Sequence, residues 1–273
     1  MDEKTIREQA FAMPFCSPAY SKGPFRFYNR ETFAITFRTD PAVLREIVPE
    51  PLTIGDPLVT FEVIKMPDSC GFGDYNEAGM EIAVIDKDGN HGSYTHMRFL
   101  DDEAPTAGGR EIWGYPKKIA SPTLTVESDA LVGRLKYGSV DVAVATMGYK
   151  YSMLDIQAEQ KKTAETPCFL LKIIPNPDTT PAICQLVRYY CSDVVVKGAW
   201  TGPADVEFFR HVLAPLAKVP VLEIVSAKHV ICDLTLGAGE IFHDYLKTKE
   251  SAQTLEVKFD ARATRQTKKA NLF

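Results

Sequence analysis

Apolar and polar positions alternate with a period of two through much of this chain, the signature of half-buried strands. From Phe25 to Thr39, Phe27, Phe33, Ile35 and Phe37 are set against Arg26, Arg30, Thr36 and Arg38. Residues 57–66 form a second strand candidate, with Glu62 among Phe61, Val63 and Ile64. A glycine-bearing loop, 71–79, leads to a third over MEIAVID. Asp88-Gly89 then signals a hairpin into a strand from Ser93 to Leu100. Strands over 123–128, 131–137 and 140–147 follow as a meander, with turns at Ser128-Asp129 and Gly138-Ser139. Further strand patterns cover 168–174, 182–190, 193–197, 221–225, 229–236 and 239–246.

Helical patterns are fewer. Residues 2–9 are charged enough for a turn or two, and residues 104–112 read as a short helix or loop. Asp40-Pro41 reads as an N-cap with proline at the first helical position, followed by Val43, Leu44, Ile47 and Val48. A helix is predicted over 152–163, and the clearest one opens at Gly202-Pro203, with Val206, Phe209, Val212 and Leu213 on one face. Many short strands with few helices define an α+β chain, mainly antiparallel β, whose sheet closes or nearly closes on itself.

Bulk properties narrow the function classes. The chain has 273 residues, 45% hydrophobic and 25% charged, as in an ordinary globular protein. A formal charge of −5 argues against a general nucleic-acid binder. From Lys247 to Phe273, however, seven Lys or Arg stand against three Asp or Glu, a solvated basic tail. No apolar run approaches a membrane span, and the N-terminus lacks the pattern of a signal peptide. Six cysteines without CxxC fit reduced thiols and a cytoplasmic location. The five histidines form no HxH or HxxxH pair, so no metal is expected, and Asn76 breaks the GxGxxG spacing in the 71–79 loop.

The stretch GREIWGYPKKIA, residues 109–120, carries the candidate chemistry. Lys117 and Lys118 follow Pro116 and an aromatic run. If a strand begins at Lys117, one lysine faces the interior and the other faces away. Burial can lower an amine pKa by up to about 3 to 5 pH units, which frees the base near neutral pH. Two ammonium groups roughly 8 Å apart repel by only about 2 kcal/mol at an effective dielectric near 20. Burial is therefore the stronger lever.

This run resembles the active-site segment of the acetoacetate decarboxylase family. Ordered landmarks extend the likeness through most of residues 17–246: SPAYSKGPFRFYNRE, VPEPL at 48–52, PLVTFEVIKM, GFGDYNEAG, ATMGYK at 145–150, LLKIIPN at 170–176 and AWTGP at 199–203. The resemblance implies one domain over 1–246, built as a cone-like antiparallel barrel with helices outside, followed by the 247–273 tail. It implies a homo-oligomer, dodecamer-like as in the family. It also implies that Lys117 attacks the ketone of a 3-oxo acid such as acetoacetate, forming a Schiff base; this family is a known case of an amine activated by its surroundings. The imine is the electron sink, so neither a metal nor pyridoxal phosphate is required.

Residue by residue, the resemblance makes Lys118 the family's second lysine, pointing away to meet a carboxylate, with Glu62 as a partner to test. Glu77, on the glycine-bearing loop, becomes a general acid or base for the enamine. Arg30 becomes a residue that orients Glu77 or loosely captures the substrate carboxylate. Phe27, Met97, Trp113 and Tyr115 are candidates for an apolar wall, and Lys150 in MGYKY is the competing amine. Two rival functions remain: a Schiff-base aldolase or dehydratase acting on 2-oxo acids, and a noncatalytic carrier of small ligands.

Overall fold

Fourteen residues of alternating pattern, Phe25–Arg38, form β1, the strand around which the architecture is arranged. In the computed structural model, which describes residues 1–247, α1 (Glu3–Gln9) precedes it, capped by Asp2. Asp40 accepts from the Ala42 amide and starts α2 (Pro41–Ile47), as its sequence signal predicts. Then come β2 (Leu58–Met66), β3 (Asp68–Ser69), β4 (Tyr75–Ile85), β5 (His91–Leu100) and α3 (Glu103–Gly108). A π-helical turn at Gly109–Trp113 delivers the chain to β6 (Lys117–Ile119). Next are β7 (Ser121–Glu127), β8 (Ala130–Tyr137), β9 (Val140–Gly148), β10 (Ser152–Met153) and α4 (Ile156–Glu165). The described chain ends with β11 (Cys168–Pro175), β12 (Pro181–Tyr189), β13 (Cys191–Thr201), β14 (Ala204–Phe208), β15 (Glu223–Leu236) and β16 (Glu240–Asp244).

These strands form two sheets. The large one runs β10-β13-β15-β1-β2-β4-β5-β11-β12-β16, with β3 paired to β1 and β6 to β5; the small one runs β14-β9-β8-β7. Alternation gives the large sheet two unlike faces. Phe33, Ile35 and Phe37 of β1, Phe61 and Val63 of β2, Met80 and Ile82 of β4 and Phe99 of β5 share one core with Leu131, Leu135, Val142 and Ala143 of the small sheet. Burying each such aromatic side chain is worth about 1.5–3 kcal/mol. A second apolar cluster, including Phe25, Phe27, Phe72, Tyr75, Trp113, Tyr115 and Tyr189, closes the other face near β6.

Several expectations need correcting. Among the described residues the sheet is not closed into a barrel: its path ends at β10, two residues long, and at β16, and no ladder joins them. The helix expected after Pro203 is strand β14, because Ala204–Phe208 finds an antiparallel partner in residues 143–147 of β9. Val212, assigned to its buried face, is 88% exposed. The patterns over 221–225 and 229–236, read as two strands, merge in the single long β15, Glu223–Leu236, paired along β1. The basic tail beyond Lys247 lies outside the described residues. No helix among the described residues is long and apolar enough to cross a membrane.

Candidate active site

The site forms where the edge of β5 changes partner. Cys168 and Phe169 of β11 pair in parallel with Ser93 and Tyr94, whereas β6 takes over at Arg98–Leu100, placing Lys117 beside Arg98. The ladders extend that row across the sheet as Glu62, Gly79, Arg98 and Lys117. Side chains in one register row share a face, so two cations and a carboxylate meet above Gly79. A Cβ at Gly79 would stand 2.0 Å from the Met97 carbonyl oxygen and 2.9 Å from Arg98 Cδ. Glycine there lets β5 close in and Arg98 lie across β4.

The segment before Lys117 is pinned from several sides. Trp113 Nε1 donates to the Gly237 carbonyl at 2.9 Å, Lys172 Nζ to Ile112 O at 2.8 Å, and Arg110 Nη1 to Lys117 O at 3.0 Å. Tyr115 and Tyr189 join their hydroxyls at 2.5 Å. A Cβ on Gly109 would sit 2.9 Å from Lys117 Nζ, so the bare backbone of the π-helical turn makes room for the amine.

Lys117 is 6% exposed. Its Nζ donates to Pro105 O at 3.1 Å, lies 3.5 Å from Glu77 Oε2 without a hydrogen bond to it, and stands 4.7 Å from the Tyr115 ring centre. Burial pulls the amine below its ordinary pKa; Glu77 pulls it up, and Arg98 adds to the lowering. The neighbouring cation is therefore Arg98, while Lys118 points away: its Nζ donates to Leu213 O at 2.6 Å and lies over the Tyr137 ring.

Glu62 does not meet Lys118. It pairs with Arg98 Nη2, which also binds Glu81 at 2.5 Å, and Arg98 Nη1 lies 3.9 Å from Glu77 Oε1. One buried guanidinium thus holds three carboxylates. Burial pushes Glu62 up, but Arg98 and Arg30 more than offset it and leave the carboxyl below its ordinary range. Burial and then Glu62 push Glu81 the other way. Glu77 lies in strand β4 and not on a mobile loop; only residues 71–74 turn before it. Arg30 Nη1 donates to Thr32 Oγ1 at 2.7 Å, and among the described residues no carboxylate lies within ion-pair distance of it. Arg98, not Arg30, is the guanidinium that reaches Glu77.

A cavity of about 360 Å³ joins these groups, a size ordinary for small-ligand sites. Phe27, Arg30, Glu62, Glu77, Trp113, Tyr115 and Lys117 line it, together with Phe72 and Tyr75. Met97 does not; bracketing Arg98 on β5, it packs in the core on the opposite face. Lys118 and Lys150 also lie outside, the latter with its amine over the Trp200 ring. Sequence reasoning missed Arg98 and Glu81. Their signal was present as charges at alternate positions of otherwise apolar strands.

A buried amine beside a carboxylate thus lies in an aromatic-walled cavity on a mainly antiparallel sheet. The family model for acetoacetate decarboxylase matches residues 12–246. The acetoacetate decarboxylase of Paraburkholderia phytofirmans is 59% identical over 251 residues, 92% of this chain and 99% of that protein. That of Bordetella avium is 57% identical over 246 residues, 90% and 99% of the two chains. The solved acetoacetate decarboxylase of Legionella pneumophila has a TM-score of 0.83 at 49% identity, covering 89% of this chain and 96% of its own. An enduracididine biosynthesis enzyme complexed with pyruvate, 20% identical with a TM-score of 0.71, shares the fold. The chain belongs to the acetoacetate decarboxylase family.

Proposed function

We propose that this protein decarboxylates acetoacetate, or a similar small 3-oxo acid, to acetone and carbon dioxide through a Schiff base on Lys117. The observation that carries the reading is the burial of the Lys117 amine in the cavity, with its pKa lowered and Glu77 3.5 Å away. Nζ adds to the ketone carbon, and the adduct takes up a proton and loses water to give a protonated imine. The imine nitrogen accepts the electron pair of the breaking C–C bond, so carbon dioxide leaves a neutral enamine. The enamine carbon takes a proton, for which Glu77 is the nearest acid. Water then adds and returns ketone, free amine and one proton, so the net reaction consumes one proton.

Arg30, its guanidinium not committed to a carboxylate, is the residue for loose capture of the substrate anion. Tight capture would favour the bound ground state and lend nothing to the rate. Lys118 stays outside the chemistry and anchors β6 to the 209–215 segment. The six unpaired cysteines and the family membership support a cytoplasmic homo-oligomer, dodecamer-like, which sedimentation would measure.

Borohydride reduction with acetoacetate, followed by peptide mass spectrometry, should label Lys117; a label on Lys150 would overturn the assignment. The labelling rate should rise with pH and level off once the lowered Lys117 pKa is passed, below the ordinary lysine value of 10.5. Below that pKa the ammonium form cannot attack. A rate still climbing toward 10.5 would remove burial as the cause of reactivity.

A further inference from the structure

We infer that Glu81 stores the proton the reaction consumes and feeds it to Glu77 from the solvent side of the cavity. The inference rests on the Schiff-base reading of the site. A 3-oxo acid anion plus one proton gives a ketone plus carbon dioxide, so a buried site must admit a proton in every cycle.

The cavity has two unlike ends. Around Lys117 it is aromatic, with Phe27, Phe72, Trp113 and Tyr115. Along the same face of β4, Glu77 and Glu81 stand four residues apart, with Gly79 between them. The Glu77 side chain is 7% exposed and that of Glu81 20%. Glu81 lies opposite Thr60 and Thr95 in the ladders. Thr36, Thr60 and Ser93 line the cavity at that end, and the two threonine hydroxyls are 2.9 Å apart. The hydroxyl-lined end is thus also the more exposed one, and at about 30 Å³ per water the cavity has room for several beside a small substrate.

The groups packed around Glu81 point to the same residue. Facing Glu81 are Arg98 from β5, Glu62 from β2, Arg30 from β1, Cys168 from β11, Tyr189 from β12 and Cys191 from β13. Besides Lys117, the cations along the cavity are Arg30, Arg98, Lys162 and Lys228, the last paired with Glu159, and they share it with Glu62, Glu77 and Glu81. Burial together with Glu62 pushes the Glu81 carboxyl toward its protonated form. Glu62, held low by the two arginines, stays ionised. At the enamine stage the Glu77 O–H breaks as the carbon–hydrogen bond forms. The Glu81 proton restores Glu77 through cavity water, and Glu81 is reprotonated from solvent. Arg98 keeps its own protons and serves as the clamp that holds both ends of this path. Glu81 touches no reacting atom, so it positions a proton and is not itself catalytic.

Deuterium exchange of acetone in D₂O, followed by NMR, tests this, because it passes through imine and enamine with no C–C cleavage. Glu81→Gln should slow exchange at least about tenfold, while single-turnover carbon dioxide release stays within about twofold of wild type. Exchange at the wild-type rate, or exchange and carbon dioxide release falling together in a folded variant, would overturn the inference. Should the Gln variant fail to fold, Glu81→Asp decides. It keeps a titrating carboxyl one methylene further from Arg98, so the alkaline limb of exchange should move, and an unmoved limb sinks the idea. Wild-type protein that neither traps at Lys117 nor exchanges acetone would instead show that the Schiff-base reading itself is wrong.

Discussion

The two faces of β1, β2, β4 and β5 are built from the same strands and carry opposite chemistry. Toward the small sheet they present Phe33, Ile35, Phe61, Met80 and Phe99, which need only fill space. Toward the cavity the intervening positions hold Arg30, Glu62, Glu77, Glu81 and Arg98. Buried charges are costly unless paired, so this face is stabilised through partners where the other is stabilised through volume. The lesson is that function here occupies one of two interleaved residue sets and leaves the other to hold the fold.

Mutations on the two faces should therefore fail differently. The largest effect is expected from Arg98→Leu, which strands Glu62, Glu77 and Glu81 at once. A loss of about 3–5 kcal/mol of stability, read from denaturant melts, should accompany lost activity; an unperturbed melt would mean the carboxylates find other partners. Glu77→Gln should leave the melt nearly alone but lower turnover by about 10²–10⁴-fold, with borohydride trapping at Lys117 retained. Since Glu77 raises the Lys117 pKa, the trapping profile of this variant should move to lower pH, and a shift upward would contradict the pairing.

On the core face, Ile35→Val should cost about 0.5–1.5 kcal/mol while activity per folded molecule stays at the wild-type level. A change in that activity would show the faces to be coupled. Smallest of all is Lys118→Met, which removes one hydrogen bond to Leu213 O. It should cost at most about 1 kcal/mol and leave trapping intact; loss of trapping would bring Lys118 into the chemistry.

Much of this division was legible in the alternation, since β1, β2 and β5 lie close to where their patterns predict them. Period two also put the two lysines on opposite faces, while the choice of Lys117 as the inward one came from the family resemblance. What stayed hidden depended on pairing between distant segments. Val206, Phe209, Val212 and Leu213 mimic a helical stripe, yet β9 captures residues 204–208 as a strand. Arg98 lies two strands from Glu62, and only the ladder through Gly79 brings them together. Barrel closure, likewise, depends on whether the two edge strands meet, which local patterns do not encode.

The adjacency of Lys117 and Lys118 gives the three-residue strand β6 an unusual sensitivity. Because it is held to β5 by the short ladder from Arg98–Leu100, sliding it by a single position would trade one amine for the other, drying Lys118 and wetting Lys117. Adding or removing one residue between Gly109 and Pro116 would favour such a slip without changing either lysine, so the spacing of that connector helps set which amine is buried.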